Sequence, residues 1–397
     1  MKTIAYSRKR NRPGIVDLFV TVIFVLTLVS CRAEQMNIEG KRFPDLIQTT
    51  QIEVKENGKI DTLVSAAERH LTVLDRILSS ASLSTTDRKY YEMIRRMTVN
   101  ILEAAGHPGF NLFLRQRFDF FRAGKPDSVL VTGYYTPILY GSREQSERFC
   151  FPVYGKPEDL ITVDLSDFSM QGILRGRIED QKLVPYFTRS EIENWDTDSR
   201  KPILFVDDKL ALFFLHVQGS GVVVFEDGSR VRLNYAAGNG HTYKSLGKML
   251  IRDGVISRAD MSMEAIHEYF KAHPDEVDKY LHVNPSFVFF EKANDGPFGS
   301  TGAIVTEGRT IAADARVFPK MGIAYLQTEV PAGKNPDGSV RLEPYQAIVF
   351  HQDAGGAING VEHIDLYFGE GDNAGFLAGH MKGKGSLYYL RPKEVSP

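Results

Sequence analysis

Residues 353–371 of this chain read DAGGAINGVEHIDLYFGEG and carry more information about the fold than any other stretch. Asp353 and Asp365 lie on either side of a glycine-rich turn, and the apolar residues beside them alternate as in β-strands. Glycine lets a backbone turn sharply or approach a ligand closely. The pattern predicts carboxylates beside a β-lined cleft, although a hairpin with solvated aspartates would give the same pattern.

The composition is that of a globular protein with a large core. The chain has 397 residues, of which 43% are hydrophobic and 25% are charged. This length predicts about two domains. The formal net charge of -2 provides no overall basic field of the kind that nucleic-acid binding uses. We therefore expect no nucleic-acid partner.

A targeting segment opens the sequence. Basic residues precede an apolar run at 19–29, which is short for a membrane span. The run leads into Leu28-Val29-Ser30-Cys31, which resembles the lipobox of bacterial lipoproteins. We expect residues 1–31 to be a lipoprotein signal peptide and Cys31 to carry the lipid that anchors the protein to a membrane. An ordinary signal peptide with an incidental cysteine is the alternative.

The remaining cysteine, Cys150, has no partner for an internal disulfide once Cys31 is lipidated. Stability must therefore come from the core. Arg32 stands where an aspartate would favour retention at the inner membrane in many Gram-negative lipoproteins. By that resemblance, we expect the protein at the periplasmic face of the outer membrane.

Helical spacing is clearest in the first third of the chain. Apolar stripes from Leu63 to Leu78 and from Tyr90 to Ala105 predict two packing helices, and residues 110–121 predict a third that is rich in aromatic residues. Residues 32–58 show no clear period and are predicted to be a tether and an entry segment. We expect these helices to pack without contributing chemistry.

The rest of the chain is predicted to be rich in strands. Short strands are expected from 128 to 235, with one short helix opened by the capping box from Thr188 to Glu191. Further helices are predicted at 242–253, 261–272 and 275–283, and strands from Phe287 onward. This order predicts an α+β protein, mainly β with flanking helices, in which the middle segment forms an inserted domain.

Three aspartates are candidates for acid chemistry: Asp314, Asp353 and Asp365. Paired carboxylates in a cleft can split their pKa values, so that one remains protonated and acts as an acid. Glycoside cleavage needs such an acid because a sugar alkoxide leaves poorly until it is protonated. Spacing alone does not say which of the three converge.

Two His-x-Asp pairs, His351 with Asp353 and His363 with Asp365, allow a different interpretation. Residues i and i+2 of a strand share a face, so the pairs could hold a divalent metal. No His-Glu-x-x-His or cysteine pattern supports a metal. Hydrogen-bonded or surface histidines explain the pairs equally well.

Two glycine-containing segments could line a groove. Residues 217–221 read VQGSG between apolar runs that we interpret as strands, and Gln218 and Ser220 could bond ligand hydroxyls. Residues 238–243 read GNGHTY and lead into a helix. Tyr134, Tyr135 and Tyr235 lie beside glycines, where their rings could stack on sugar faces.

These segments, in this order, resemble the membrane-bound lytic murein transglycosylase A family. The matching motifs are TGYYTP at 132–137, VQGSG at 217–221, AGNGHTY at 237–243, NPSFVFF at 284–290, DxGGAI at 353–358 and DxYxGxG at 365–371. The resemblance runs from about 130 to 390. The first hundred residues barely inform it.

The resemblance implies a double-psi β-barrel domain and an inserted β-barrel-like domain with a groove between them. By this reading residues 32–137 hold the helical part and the first strand of domain A, 138–286 form domain B, and 287–397 complete domain A. The groove would bind peptidoglycan glycan strands. It would cleave the β-1,4 bond between N-acetylmuramic acid and N-acetylglucosamine without water, leaving 1,6-anhydro ends, and needs no cofactor or metal.

The resemblance also implies residue roles. The family's catalytic acid/base falls on Asp365, and Asp353 and Asp314 match two further aspartates that we assign to positioning and pKa tuning. The segment 360–365 departs from the family pattern by one extra residue and by His363, which leaves Asp353 as an alternative acid. We expect glycan contacts from Thr132, Gly133, Tyr134, Gln218, Gly219, Ser220, Tyr235 and His241.

Two other functions remain open at this point. A lipoprotein that binds peptidoglycan without cleaving it would use the same barrels. A metal-dependent hydrolase would use the His-x-Asp pairs. Interactions with other cell-wall enzymes are not predicted by the sequence.

Overall fold

The computed structural model describes residues 34–394 apart from residues 51, 171 and 259. The predicted signal peptide and Cys31 therefore lie outside the described residues. The strands in chain order are β1 (Gln35–Ile38), β2 (Lys41–Thr49), β3 (Phe118–Ala123), β4 (Val129–Thr136), β5 (Ile138–Ser142), β6 (Phe151–Val153), β7 (Ile161–Asp164), β8 (Ile173–Glu179), β9 (Lys182–Pro185), β10 (Leu204–Val206), β11 (Gly221–Phe225), β12 (Arg230–Gly238), β13 (Val288–Ala293), β14 (Thr310–Ala312), β15 (Ile323–Lys334), β16 (Val340–Asp353), β17 (His363–Glu370) and β18 (Lys382–Pro392).

The α-helices in chain order are α1 (Ile60–Leu78), α2 (Thr85–Ala104), α3 (Phe110–Arg117), α4 (Arg189–Glu193), α5 (Lys209–Gln218), α6 (Leu246–Arg252), α7 (Met263–Ala272), α8 (Val277–Leu281) and α9 (Asp372–His380). Short 3₁₀ turns at Leu165–Phe168 and Pro274–Glu276 complete the set. No helix among the described residues is both long enough and apolar enough to cross a bilayer.

The largest sheet closes on itself. Its strands run in the order β1-β2-β3-β18-β15-β16-β14-β17-β4, and an additional pairing joins β18 to β4. Strands β18, β15, β16, β14, β17 and β4 therefore form a closed ring of six. Closure removes the unpaired edges that an open sheet would expose. Residues 347–352 of β16 are buried throughout because the barrel interior lies on one side and helix α1 packs on the other.

A second sheet of six strands, ordered β13-β12-β11-β5-β10-β6, forms the other barrel-like part. All of its strands come from the chain between β4 and β14. A third sheet, β7-β8-β9, is a three-stranded meander from the same segment. Helix α5 packs inside this part of the molecule, since Leu212 and Leu215 belong to the core of the second sheet.

Helix α1 is pinned to the first barrel by a fully buried arginine. Arg309 precedes β14 and donates to the carbonyls of Ile348 (2.9 Å) and Lys59 (2.8 Å). It also pairs with Glu56 Oε1 at 3.1 Å. A buried guanidinium requires such partners because an unpaired buried charge is costly. The network fixes the start of β14, the short central strand on which the candidate site is built.

Several helix predictions are confirmed. The stripes predict α1 and α2, and their apolar positions Leu63, Leu74, Tyr90 and Ile94 are buried. The predicted capping box is present, with Thr188 and Glu191 bonded reciprocally at the start of α4. Pro274 opens a 3₁₀ turn before α8, as expected for a residue without an N–H at a helix start.

Other predictions were wrong. Residues 35–49 are strands of the large sheet rather than a tether, and the predicted third helix ends at Arg117, where β3 begins. The run before VQGSG is a helix, α5, rather than a strand. Asp208 caps it through the amides of Leu210 and Ala211, and its near-continuous apolar sequence reflects burial on several sides. Helix α9 also interrupts the strands predicted after Phe287.

Candidate functional site

Asp353 and Asp365 lie in one row across the closed barrel. Ala312 of β14 is paired with Asp353 of β16 on one side and with Asp365 of β17 on the other. Thr132 of β4 is paired with Asp365 and extends the row. Because paired strands lie about 4.8 Å apart, the two aspartate Cα atoms are separated by roughly 10 Å. Directly paired residues share a face, so the carboxylates converge on one side of the barrel.

Asp365 is largely withdrawn from water, with a side chain 23% exposed. Burial raises the pKa of Asp365 above its ordinary value, while the Thr132 hydroxyl and the nearby His363 act in the opposite direction. The Thr132 hydroxyl donates to Asp365 Oδ1. The raised pKa makes Asp365 able to hold a proton that an ordinary aspartate would have lost.

His363 forms the next link beside this carboxylate. Its Nε2 lies 2.8 Å from Thr132 Oγ1 and 4.0 Å from Asp365 Oδ1. Since the Thr132 proton points to Asp365, His363 Nε2–H would donate to Thr132 Oγ1. The Ile364 carbonyl, 3.3 Å away, is a weaker alternative acceptor for Thr132. The imidazole therefore holds the hydroxyl that positions Asp365.

Asp353 is held from the other side of the row. The backbone amides of Ser300 and Ala354 both donate to its Oδ1, each at 2.8 Å. Burial raises the pKa of Asp353 to about 6, and these amides and the Tyr134 hydroxyl oppose the rise, while the charge of Asp365 adds to it. Asp353 and Asp365 therefore disfavour simultaneous ionisation.

Tyr134 supplies an unpartnered hydroxyl to the same face. Burial raises the pKa of the phenol, and the neighbouring Asp353 adds to the rise, but the hydroxyl oxygen forms no hydrogen bond of good geometry with a described residue. Its ring packs against Tyr367 with centroids 5.1 Å apart. Tyr367 in turn lies 2.8 Å from Thr136 Oγ1. A buried polar group without a partner is uncommon and often marks a site that a ligand completes.

Asp314 lies two residues beyond Ala312 in a different setting. Arg316 donates to both of its oxygens, at 2.9 and 2.7 Å, and the Gly360 amide donates to Oδ2 at 2.8 Å. The guanidinium holds the pKa of Asp314 well below its usual range. Asp314 is thus a fixed anion that ties the turn between β16 and β17 to the end of β14.

Gly133 lies between Thr132 and Tyr134, and strand alternation turns it to the opposite face. A Cβ at this position would lie 2.8 Å from the Ala378 Cα of helix α9. Only glycine permits this contact between β4 and α9. The requirement for glycine here is explained by packing; a backbone contact to a glycan stays a prediction.

The VQGSG segment forms the end of α5. Gly219 terminates the helix with φ 80°, a conformation that favours glycine. Gln218 Oε1 accepts from the Tyr135 amide at 3.1 Å, which joins α5 to β4. Ser220 is half-buried. Among the described residues, no hydrogen bond links this segment to Asp353 or Asp365.

Tyr235 and His241 belong to the second sheet and the loop after it. The Tyr235 side chain is 46% exposed, next to an irregularity in the pairing of β12 with β13. His241 Nε2 lies 2.7 Å from the Tyr186 carbonyl. Tyr235 is therefore open to a ligand, whereas one nitrogen of His241 is already engaged.

Two features of the region escaped prediction. The Ser300 amide that holds Asp353 comes from a distant loop, and a backbone donor leaves no mark in a sequence. Glu370 at the end of β17 pairs with Arg230 and Arg232 of β12, each at 2.7 Å. These ion pairs join the closed barrel to the second sheet. The Glu370 position lies within the GEG part of the quoted stretch, but its partners are 138 and 140 residues away.

The His-x-Asp pairs do not assemble a metal site among the described residues. His351 is buried, and its two nitrogens lie 3.0 Å from the Pro319 carbonyl and 3.2 Å from the Ala313 carbonyl. The three-residue group with metal-ligand geometry in the described part of the chain is Glu193, Asp278 and His282. The Lys209 ammonium pairs with both carboxylates of that group, so part of the group's negative charge is already balanced.

Comparisons with known protein families match two segments of this chain. Residues 130–291 match the description of an MltA specific insert domain, and residues 309–391 match a 3D domain. Membrane-bound lytic murein transglycosylase A of Vibrio cholerae is 30% identical over 363 residues, which cover 90% of this chain and 89% of that protein. Its counterpart in Escherichia coli K12 is 33% identical over 267 residues, which cover 66% of each chain.

Solved structures show the same fold. MltA from Neisseria gonorrhoeae superposes with a TM-score of 0.69 at 25% identity, covering 89% of this chain and 94% of that one. Escherichia coli MltA with bound chitohexaose gives 0.67 at 25% identity, covering 91% and 98%. The predicted double-psi β-barrel with a second barrel is thereby confirmed. This chain belongs to the membrane-bound lytic murein transglycosylase A family.

Proposed function

We propose that this chain is a lytic transglycosylase that cleaves the β-1,4 bond between N-acetylmuramic acid and N-acetylglucosamine in peptidoglycan, with Asp365 as the single acid/base. Membership of the family supports the reaction class. The observation that carries the residue assignment is the row Asp353–Ala312–Asp365–Thr132. It brings together one carboxyl with a raised pKa, a positioned hydroxyl and a second carboxyl.

The reaction needs only one proton carrier. Protonated Asp365 donates its proton to the glycosidic oxygen as the bond from that oxygen to C1 of the muramic acid breaks. The C6 hydroxyl of the same sugar then attacks C1, and its proton passes to the Asp365 carboxylate. A 1,6-anhydro ring forms, the acid is regenerated, and no water enters. Intramolecular attack also gains from proximity.

We assign Asp353 to holding Asp365 in its protonated form. Ionisation of either carboxyl raises the cost of ionising the other. The two amides on Asp353 Oδ1 favour its anion, and the charge of that anion makes ionisation of Asp365 more costly. Asp314 keeps the intervening turn in place through Gly360. The extra residue in segment 360–365 leaves Asp365 paired with Thr132, whose hydroxyl positions its carboxyl, and this supports Asp365 over Asp353 as the acid.

The glycan contacts remain proposals of unequal support. Tyr134 and Tyr235 have the strongest support, since one hydroxyl is unpartnered and the other ring is exposed. Thr132 would act mainly through Asp365. Gln218, Ser220 and His241 would contribute their remaining polar groups, and Gly133 and Gly219 their backbones. We also propose the division into a domain formed by both chain ends and an insert at 138–286.

The relatives are named as membrane-bound, and this chain shares their membrane association. We propose in addition that a lipid on Cys31 anchors it at the periplasmic face of the outer membrane. Globomycin sensitivity and metabolic labelling with palmitate would test this assignment. Palmitate labelling of a Cys31→Ser variant would contradict the assignment of the lipid to Cys31.

The test of function is digestion of purified sacculi in H₂¹⁸O followed by mass spectrometry. The proposal predicts soluble muropeptides with anhydro ends, one water lighter than hydrolysis products and free of ¹⁸O. Reducing ends that contain ¹⁸O would mean a hydrolase. Binding to sacculi without soluble products would instead favour a non-catalytic peptidoglycan-binding lipoprotein.

A further inference from the structure

The meander β7–β8–β9 presents an uncharged face to solvent. Cross-strand pairs join Val163 to Leu174, Ile161 to Gly176 and Ile178 to Leu183. Paired residues, and residues two apart, share a face. We define the apolar face by its side chains, Ile161, Val163, Leu174, Ile178, Leu183 and Pro185. Leu174 is 49% exposed and Ile178 is 57% exposed.

The middle of the other face of the meander packs against the rest of the protein. Arg175 packs closely on the loop after β12. A Cβ added at Gly240 of that loop would lie 2.9 Å from the Cβ of Arg175. The Arg177 guanidinium stacks 4.0 Å from the centroid of the Phe187 ring. A surface sheet normally buries its apolar face and solvates its polar one. In the middle of this meander the apolar face is exposed and the polar face is covered.

The exposed apolar surface continues beyond the strands. The connection between β7 and β8 carries Phe168, which is 65% exposed, and Met170, which is 59% exposed. Both lie at the end of the hairpin where Val163 and Leu174 are paired. Exposed apolar side chains clustered in one part of a surface often mark a contact with a partner or a membrane.

The size of the surface discriminates between occupants. Three strands spaced about 4.8 Å apart and four residues long give a face on the order of 200 Å². A stable protein interface buries about 800 Å² on each partner. The face is therefore too small to hold a second copy or another protein by itself. A few apolar side chains inserted into a bilayer can hold a protein to it weakly and reversibly, since the burial of each methylene favours binding.

We propose that the apolar face is a membrane contact surface, which inserts Leu174, Ile178 and Phe168 into the outermost part of a lipid bilayer. The proposal rests on membrane association and is independent of the catalytic assignment. Because the face carries no charge, the contact is apolar. We therefore expect it to form on neutral lipids and to resist salt, since screening weakens only charged interactions.

Flotation of residues 34–397 with neutral phosphatidylcholine vesicles tests the proposal. These residues form a compact unit with their own cores, so the piece is suitable once circular dichroism confirms folding. We expect the unaltered protein to float at both low and high salt. The double variant Leu174→Ser/Ile178→Ser should lower the bound fraction at least about tenfold, as expected when two apolar side chains lose their burial.

The matched control is Leu112→Ser/Leu342→Ser, which removes two side chains of similar exposure, 56% and 51%, from other parts of the surface. The control should float like the unaltered protein. Failure of the unaltered protein to float would overturn the proposal, as would equal loss in the control. Sedimentation as a dimer that the Leu174/Ile178 variant dissociates would assign the face to a second copy instead. Digestion of sacculi by the double variant should be unchanged.

Discussion

Asp365 is paired with Ala312 of β14 and Asp314 follows that strand by two residues, yet their surroundings move their pKa values in opposite directions. Asp365 is buried beside a hydroxyl and a second carboxyl, and burial raises its pKa. The Asp314 side chain is less exposed than that of Asp365, but it accepts two guanidinium and two amide donors, and the Arg316 side chain lowers its pKa most. Burial alone therefore does not make a proton donor. A carboxyl becomes a proton donor when the fold buries it without a guanidinium such as that of Arg316 beside it.

The largest effect should come from removing the proton itself. Asp365→Asn keeps the shape and the Thr132 contact but cannot donate a proton, so release of anhydro-muropeptides should fall by roughly 10³-fold. The rate of soluble product release from sacculi measures it, with thermal unfolding to confirm an intact fold. Asp337→Asn, in the exposed turn between β15 and β16, is the matched control. A variant with more than a tenth of normal activity would contradict the role of Asp365.

Asp353→Asn tests the cost of burying a carboxylate. The pKa of Asp353 is raised to about 6, so the folded protein binds more protons than the unfolded chain between about pH 4 and pH 6. Stability should fall as pH rises through that window. Asparagine still accepts the Ser300 and Ala354 amides, so at pH 7 the variant should be more stable by about 1–3 kcal/mol.

Urea unfolding at pH 4 and pH 7 measures this difference. The gain should shrink to a small fraction near pH 4, where Asp353 is protonated in the folded state and about half protonated in the unfolded chain. An equal gain at both pH values would mean that packing, rather than ionisation, sets the difference. A loss of stability at pH 7 would mean that the carboxylate is better accommodated than burial implies.

Asp314→Ala should behave in the opposite sense. It leaves the Gly360 amide without its partner and should lower the free energy of unfolding by about 1–2 kcal/mol at neutral pH. Because the pKa of Asp314 is depressed, its contribution is complete above about pH 4 and is lost as the pH falls further. Urea unfolding from pH 7 to pH 3 measures the window. A difference that grows in acid would contradict the ion pair with Arg316.

The smallest effect concerns His363. Its positive form lowers the pKa of Asp365, so His363→Gln should raise that pKa and move the alkaline limb of the pH–activity profile to higher pH. Glutamine can still donate to Thr132 Oγ1, so the maximal rate should change little. Thr132→Val, which removes the hydroxyl, separates loss of position from loss of charge. An unchanged pH–activity profile in His363→Gln would mean that the charge of His363 does not affect the pKa of Asp365.

Local features of the fold could be predicted because their causes are local. The capping box at Thr188 and the stripe of α1 involve residues three or four apart. Helix α5 was mistaken for a strand because its sequence is apolar on several sides, which leaves no helical period. Strand β14 is only three residues long and has no pattern of its own, yet it places the aspartate row.

The candidate site could likewise be predicted only in part. Asp365, Asp353 and Asp314 were identified from motif order, but their electrostatic roles depend on partners that spacing does not reveal. Arg316 lies two residues from Asp314 and could have been suspected. The Ser300 amide comes from a loop and Thr132 from a strand paired with β17, and both contacts join residues far apart in the chain. The outward apolar face of the meander also required the register of three strands.

The most direct test of the account is a ¹³C NMR titration of the aspartate carboxyl carbons, assigned with the Asp365→Asn, Asp353→Asn and Asp314→Asn variants. The account predicts that Asp365 titrates above the ordinary aspartate value of about 4 and that Asp353 does so near 6, while Asp314 stays ionised at pH 3. Titration of Asp365 near pH 4 or below would contradict the claim that this carboxyl holds the catalytic proton.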